Sequence, residues 1–341
     1  MAALEADEGG GWRTPAQPGA RYRLCANADY EVCNWLVDAD LPDQFCAACR
    51  HNRTIPDLSL SDNAAHWRKI EVAKHRLFYT LLKLRLPLTT RPEDPDGLAF
   101  DFIAGPQSPS QVITGHSGGL ITINLAEADD SERERQRSRM GEPYRTLLGH
   151  FRHEIAHYYW DHLVRDTAGV DEFRRIFGDE RQDYSVALQQ HYSNGPPADW
   201  PLQFVTAYAS SHPWEDFAET WAHYFHMVDT LETANVFGLR MRPKLKSAEL
   251  AMVVNFDPHT ANMDRIIDAW LPLTFAFNSI NRSMGMADLY PFVLEPSVIV
   301  KLAFVHERIH AQRAEARSNE GSTLRAMIAG LKRKVGLPDP A

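Results

Sequence analysis

The stretch that most restricts the fold is His153-Glu154-Ile155-Ala156-His157. On a helix, a spacing of four places both imidazoles on one face, one turn apart, where they can share a metal ion. Neutral imidazole suits zinc, and a carboxylate beside the first ligand is placed to take a proton from a water that attacks a carbonyl. The surrounding YRTLLGHFRHEIAHYYWDHLV (144–164) reads as a helix. The chain must therefore build a core around this helix and bring a third ligand to it.

A metzincin would carry Gly and His at fixed positions after the second histidine, but those positions hold Trp160 and Leu163, which excludes that class. The segment Trp214-Glu215-Asp216-Phe217-Ala218-Glu219-Thr220-Trp221 instead resembles the gluzincin pattern. There a glutamate from a second helix completes the metal site, and an acidic residue four positions on steadies one ligand histidine from behind. The resemblance assigns Glu215 to the metal and Glu219 to a hydrogen bond with an imidazole N–H, while Asp216 points elsewhere. Tyr208 precedes Glu215 by the same offset as a tyrosine in the lethal-factor-type proteases, which this stretch resembles locally. That likeness makes Tyr208 the first candidate donor to an oxyanion and His212 the second. His150 and His223 flank the two helices and are candidates for supporting hydrogen bonds only, because histidines in such places more often cap or pack.

All four cysteines lie in the first fifty residues, spaced Cys25-x7-Cys33-x12-Cys46-x2-Cys49. The start of the chain lacks the basic and apolar regions of a secretory signal, and no run of about eighteen apolar residues follows, so a soluble cytoplasmic protein is expected, with no membrane partner. In a reducing compartment, clustered cysteines point to metal, and four thiolates complete a closed structural zinc site. The rival readings are a redox pair at Cys46 and Cys49, which lacks a thioredoxin-like βαβ context, or four unrelated buried thiols. Acidic neighbours Asp29, Glu31, Asp38, Asp40 and Asp43 favour protein docking or a structural role over phosphate binding. The net charge of −9 likewise offers no broad attraction for nucleic acid, which is not expected as a partner.

The 341 residues, 44% of them apolar, suffice for one large domain or two smaller ones. Residues 1–20, rich in Gly, Pro and Ala, are expected to be mobile, 21–56 to form the cysteine module, 62–312 the main domain and 313–341 a tail or helix. The main domain opens with an amphipathic helix through Trp67, Ile70, Val72, Leu77, Phe78, Leu81, Leu82 and Leu84, stopped by Pro87. Strands are expected at 97–104 and 119–128, separated by a Gly/Pro/Ser loop, and a solvated loop or fraying helix at 128–143. The strand at 119–128 is expected to line the cleft and pair with an extended substrate. Beyond Pro143 the pattern is mainly helical, giving an α+β chain with a small β-containing subdomain and a mainly helical one.

LCANADYEVCNWLV, CAACRHNRTIPDLS, FRHEIAHYYWDHLV, FGDERQDYSVALQQHY, AYASSHPWEDFAETWAHYFH and NRSMGMADLYPFVL together resemble the bacterial zinc-binding metallopeptidase family Peptidase_Mx, from about Leu24 to His306. The resemblance implies a zinc-ribbon segment followed by a zincin-like peptidase domain, zinc as cofactor and a peptide or protein substrate. With the cysteine site, one catalytic and one structural zinc are expected. The alternatives are a zinc-stabilised docking or scaffold protein and an amide hydrolase acting on a non-peptide substrate.

Overall fold

The computed structural model describes residues 4–7, 10–60, 62–104, 114–140, 146–244 and 250–314. The chain divides into two compact units, residues 1–80 with 88–158 and residues 81–87 with 159–341.

The first unit opens with an antiparallel meander of β1 (Glu5–Ala6), β2 (Trp12–Thr14), β3 (Gln17–Leu24) and β4 (Leu36–Asp38), paired in that order. Residues 1–20, expected to be mobile, thus supply two strands and part of a third. Pro15 and Ala16 form the short turn that pairs Thr14 with Gln17 and sets Trp12 across from Tyr22. What reads as linker composition is turn chemistry.

A second sheet has the order β5-β6-β8-β7, from β5 (Asn52–Thr54), β6 (Ala99–Ile103), β7 (Gly115–Ser117) and β8 (Leu120–Asn124). β5, β6 and β8 run parallel and β7 antiparallel. Ala99, Phe100, Asp101 and Phe102 of β6 are all buried, as in a strand covered on both faces. The buried carboxylate of Asp101 is held by Arg53 of β5, so the strand that follows Cys49 is tied directly into this sheet. β7 and β8 form a hairpin closed by Gly118 and Gly119, both at positive φ, and a Cβ on Gly119 would meet the Asp96 carbonyl oxygen at 2.3 Å. Part of the expected loop, 105–113, lies outside the described residues. The strand expected to receive substrate is β8, and this is corrected: β6 and β7 occupy its two edges, so among the described residues β7 is the free edge on that side.

α1 (Asn63–Leu84) buries Trp67, Ile70, Leu77, Phe78, Leu81 and Leu84, whereas Val72 and Leu82, expected on the same face, are exposed. Among the polar residues of α1, the ionisable Glu71, Lys74 and His75 are buried instead. Of the segment 128–143, Asp130–Met140 form a helix, α2, and 141–143 lie outside the described residues: Asp129 accepts the Ser131 and Glu132 N–H groups, and the ion pairs Asp130–Arg133, Glu132–Arg135 and Glu134–Arg137 lie one turn apart. α3 (Leu147–Trp160) starts at Thr146, whose hydroxyl accepts the Gly149 N–H at 3.0 Å. Its Phe151 packs on Phe100 of β6, ring centroids 5.8 Å apart.

The second unit carries α4 (Val170–Phe177), α5 (Tyr184–Asn194), α6 (Pro213–Val236), the short pair β9 (Arg240–Met241) and β10 (Met252–Val253), α7 (Met263–Ser283) and α8 at 296–314; the expected tail beyond 314 lies outside the described residues. Its core is aromatic, with Phe173 on Phe177 at 4.9 Å, Phe177 on Phe304 at 5.6 Å and Tyr159 stacked on Trp221 at 5.2 Å. Within it, Lys301 of α8 reaches Asp216 of α6 at 2.6 Å, with both side chains buried. Burial pushes the Asp216 carboxyl up to about 7 against the pull of Lys301. Replacing Lys301 by Met removes the cation and its bond to the Gln203 carbonyl, and because the carboxyl can take up a proton near neutral pH the loss of stability is expected to be about 1–3 kcal/mol. Chemical denaturation reads this, and the double change with Asp216→Leu should recover most of the loss. No described helix is long and apolar enough to cross a membrane.

Candidate metal centres

His153, Glu154 and His157 occupy successive turns of α3, in the first unit. The two imidazoles meet edge to face, ring centroids 5.0 Å apart at 82°, which is the juxtaposition that the four-residue spacing dictates. His157 is 3% exposed, while His153 and Glu154 are half-buried. His116 of β7 stacks on the His157 ring at 6.1 Å, so the free edge of the sheet runs beside the motif. His150, seven positions before His157, lies 3.3 Å from the Glu127 carboxylate. Past Trp160 the chain continues into a π-helical turn, Asp161–Arg165.

Tyr208, His212, Glu215 and Glu219 all lie in the second unit. His212 caps α6: its Nδ1 accepts the Trp214 N–H at 3.1 Å and its Nε2–H donates to the Gln182 carbonyl at 3.2 Å. With both ring nitrogens engaged, His212 is withdrawn as an oxyanion donor. Glu215 sits in the first turn of α6, 1% exposed, where the helix dipole favours a carboxylate. Its Oε1 accepts the hydroxyl of Tyr184 at 2.7 Å. The Thr206 hydroxyl donates to Glu219 Oε2 at 2.8 Å. Tyr208 opens a short 3-10 turn and meets His191 edge-on at 6.1 Å. Tyr184 was not found by sequence reasoning, because only the packing of α5 on the following turn brings it to Glu215.

His223, one turn after Glu219 on α6, has Nδ1 2.7 Å from the Tyr290 hydroxyl and its ring against Phe292 at 4.4 Å. Burial pushes it down to about 4. The unfolded chain binds this proton near pH 6.5 and the folded chain does not, so stability falls as pH drops through that window, by about 2 kcal/mol at pH 5, and is untouched above pH 7. A His223→Gln variant should therefore lose less stability than the wild type between pH 7 and pH 5, read as urea midpoints. Equal losses would show that His223 is not held neutral.

In the first unit, Cys25, Cys33, Cys46 and Cys49 gather their sulfurs within 4.8 Å of one another, all as free thiols. Crowding draws the protons apart: hydrogen bonds from Cys25 and then Cys33 pull the Cys46 thiol far down, and Cys33 lowers Cys25 to about 7. The Trp35, Cys46 and Cys49 amides donate to the sulfurs of Cys33, Cys25 and Cys46 at 3.4, 3.3 and 3.4 Å. Convergent sulfurs wrapped by amide donors are the donor set of a closed tetrahedral zinc site, so these residues fit the metal. In the second unit Asp229, Glu232 and His259 also converge, and there Lys83 pairs with Glu232 at 3.1 Å.

The profile of the family Peptidase_Mx, described as "Putative zinc-binding metallo-peptidase", matches residues 63–308. A zinc-ribbon domain profile matches residues 1–60, which includes the first twenty residues and all four cysteines. Proteins of Mycobacterium bovis and of two Mycobacterium tuberculosis strains, each called an uncharacterized protein, are 43% identical over 299 residues, spanning 84% of this chain and 82% of theirs. No solved structure matches. With an N-terminal zinc ribbon and a profile match over most of its length, this α+β chain belongs to the Peptidase_Mx family of zinc-binding metallo-peptidases.

Proposed function

We propose that the chain is a zinc-dependent peptidase of the HExxH gluzincin type with a zincin-like catalytic fold, in which His153 and His157 of α3 and Glu215 of α6 hold the catalytic metal. The observation that carries this reading is the pair of imidazoles one turn apart on a capped helix that packs against the sheet core. Zinc, when bound, supplies Lewis acidity toward the scissile carbonyl and the attacking water. Glu154, one position after the first ligand, takes the proton of that water and returns it to the leaving amine. Tyr208 donates to the oxyanion, and Tyr184 fixes the carboxylate of Glu215 through its hydroxyl. Glu219 orients a ligand imidazole. The exposed edge of β7, beside His157, pairs with an extended peptide backbone. Four free thiols suit a reducing compartment, and the cytoplasm is the location assigned.

Zinc per chain tests the assignment, measured by elemental analysis on the wild type and on a His153→Ala/His157→Ala double variant purified without added metal. About two zincs falling to about one, together with cleavage of an unbiased peptide library by the wild type alone, is expected for one closed and one open site. A zinc content unchanged by the double substitution would remove the catalytic centre. Silence on peptides with turnover of a small amide would keep the centre and change the substrate.

A further inference from the structure

The buried polar face of α1 has no place in the peptidase chemistry, yet it is built around one imidazole. His75 Nε2 lies 3.2 Å from the sulfur of Cys33 and 3.7 Å from those of Cys46 and Cys49, and Cys33 and Cys46 are 3.8 Å apart. With Zn–S near 2.3 Å and Zn–N near 2.0–2.1 Å, a tetrahedral site sets neighbouring donors about 3.5–3.8 Å apart. The four separations bracket that edge length.

The other ring nitrogen fixes the tautomer. Nδ1 is 2.6 Å from the Glu71 carbonyl oxygen and 3.5 Å from its carboxylate, so Nδ1 carries the proton and the Nε2 lone pair faces the sulfurs. One thiol S–H can bond that lone pair, as from Cys33 at 3.2 Å, but only a cation between the donors engages the nitrogen and all three sulfurs at once. An imidazole that donates its remote N–H to a carbonyl or carboxylate is the usual posture of a metal-ligating histidine. Glu71 is held in turn by Trp67, Lys74 and Asn52 at 3.1, 2.9 and 2.7 Å, and Trp35 packs edge-on against His75 at 4.9 Å. The ring has no freedom to turn away.

We propose that His75 is a ligand of the metal at the cysteine centre, together with Cys33, Cys46 and Cys49, and that it takes the position for which Cys25 is the competing donor. His75 lies outside the ribbon match, on the first helix of the peptidase match. The metal is then a staple between the ribbon and α1, and Glu71, Lys74 and His75 are buried because they build it. Three sulfurs and one imidazole suit zinc or another borderline divalent ion. The proposal is independent of the peptidase reading, since the α3 motif contributes no sulfur.

Cobalt(II) in place of the native metal, on the full chain, separates the possibilities. Thiolate-to-cobalt charge-transfer absorption arises only at the cysteine centre, and the visible ligand-field bands report whether nitrogen is bound there. Cys25→Ser should leave the charge-transfer intensity per bound cobalt unchanged, whereas Cys33→Ser should remove about a third of it. His75→Ala should move the ligand-field bands to lower energy as sulfur replaces nitrogen, and weaken cobalt binding by about tenfold or more. Bands that stay in place in His75→Ala overturn the proposal, even if affinity falls, because His75 would then only pack beside a four-sulfur site. Should His75→Ala fail to fold, Cys25→Ser decides alone: a loss of about a quarter of the intensity overturns the assignment.

Discussion

Glu154→Gln is expected to cut kcat on any cleaved peptide by about 10²–10⁴-fold while leaving the zinc content of the protein unchanged. The two effects separate because the amide keeps the size of the carboxylate and one of its acceptor oxygens but cannot take up the proton. Glu154 stands between His153 and His157 on a helix whose apolar face, through Phe151 and Ile155, is buried in the core. The substitution therefore disturbs neither α3 nor the imidazole pair. Parallel steady-state kinetics and elemental analysis make the measurement. Retained turnover would mean that the proton goes elsewhere, and loss of turnover together with zinc would mean that Glu154 acts through the metal site's integrity.

The α3 motif was legible because its chemistry and its helical period coincide: the residues that must share a face are four apart, and Phe151 and Ile155 mark the opposite, buried face. Glu215 was legible for the same reason, and because the first turn of a helix accepts a carboxylate. The edge strand β7 was hidden in a stretch read as loop, although Gly118-Gly119 ahead of an alternating apolar run is a hairpin signal. That strand sets His116 against the His157 ring. Tyr184 and His75 left no such mark. Each is an ordinary helix residue whose partners lie 31 and 26–42 positions away in sequence, so only tertiary packing reveals it. On α1 the apolar spacing gave the helix, but the face that holds Glu71, Lys74 and His75 reads as polar and therefore as solvent.

That same face makes removal of the metal from the cysteine centre the second large effect. Cys46→Ser is expected to cost several kcal/mol, approaching the roughly 10 kcal/mol by which a bound structural zinc can support a small module. Cys46 is the hub: its sulfur faces Cys33 at 3.8 Å and His75 at 3.7 Å, and its amide holds Cys25 at 3.3 Å. Without the cation, thiols drawn below their ordinary range are left crowded in a buried pocket, against the fully buried Glu71 and Lys74. Apart from β3 the strands of the meander are two or three residues long and it has little apolar core of its own, so it cannot offset that loss. Hydrogen exchange should show β3, β4 and the first turns of α1 losing protection together, with one zinc fewer per chain. The fall should be mimicked in the wild type by a strong chelator and reversed by added zinc. Protection in β3 and β4 that survives both treatments would mean that backbone pairing alone holds the ribbon, and that the four sulfurs are buried thiols with no ion to support.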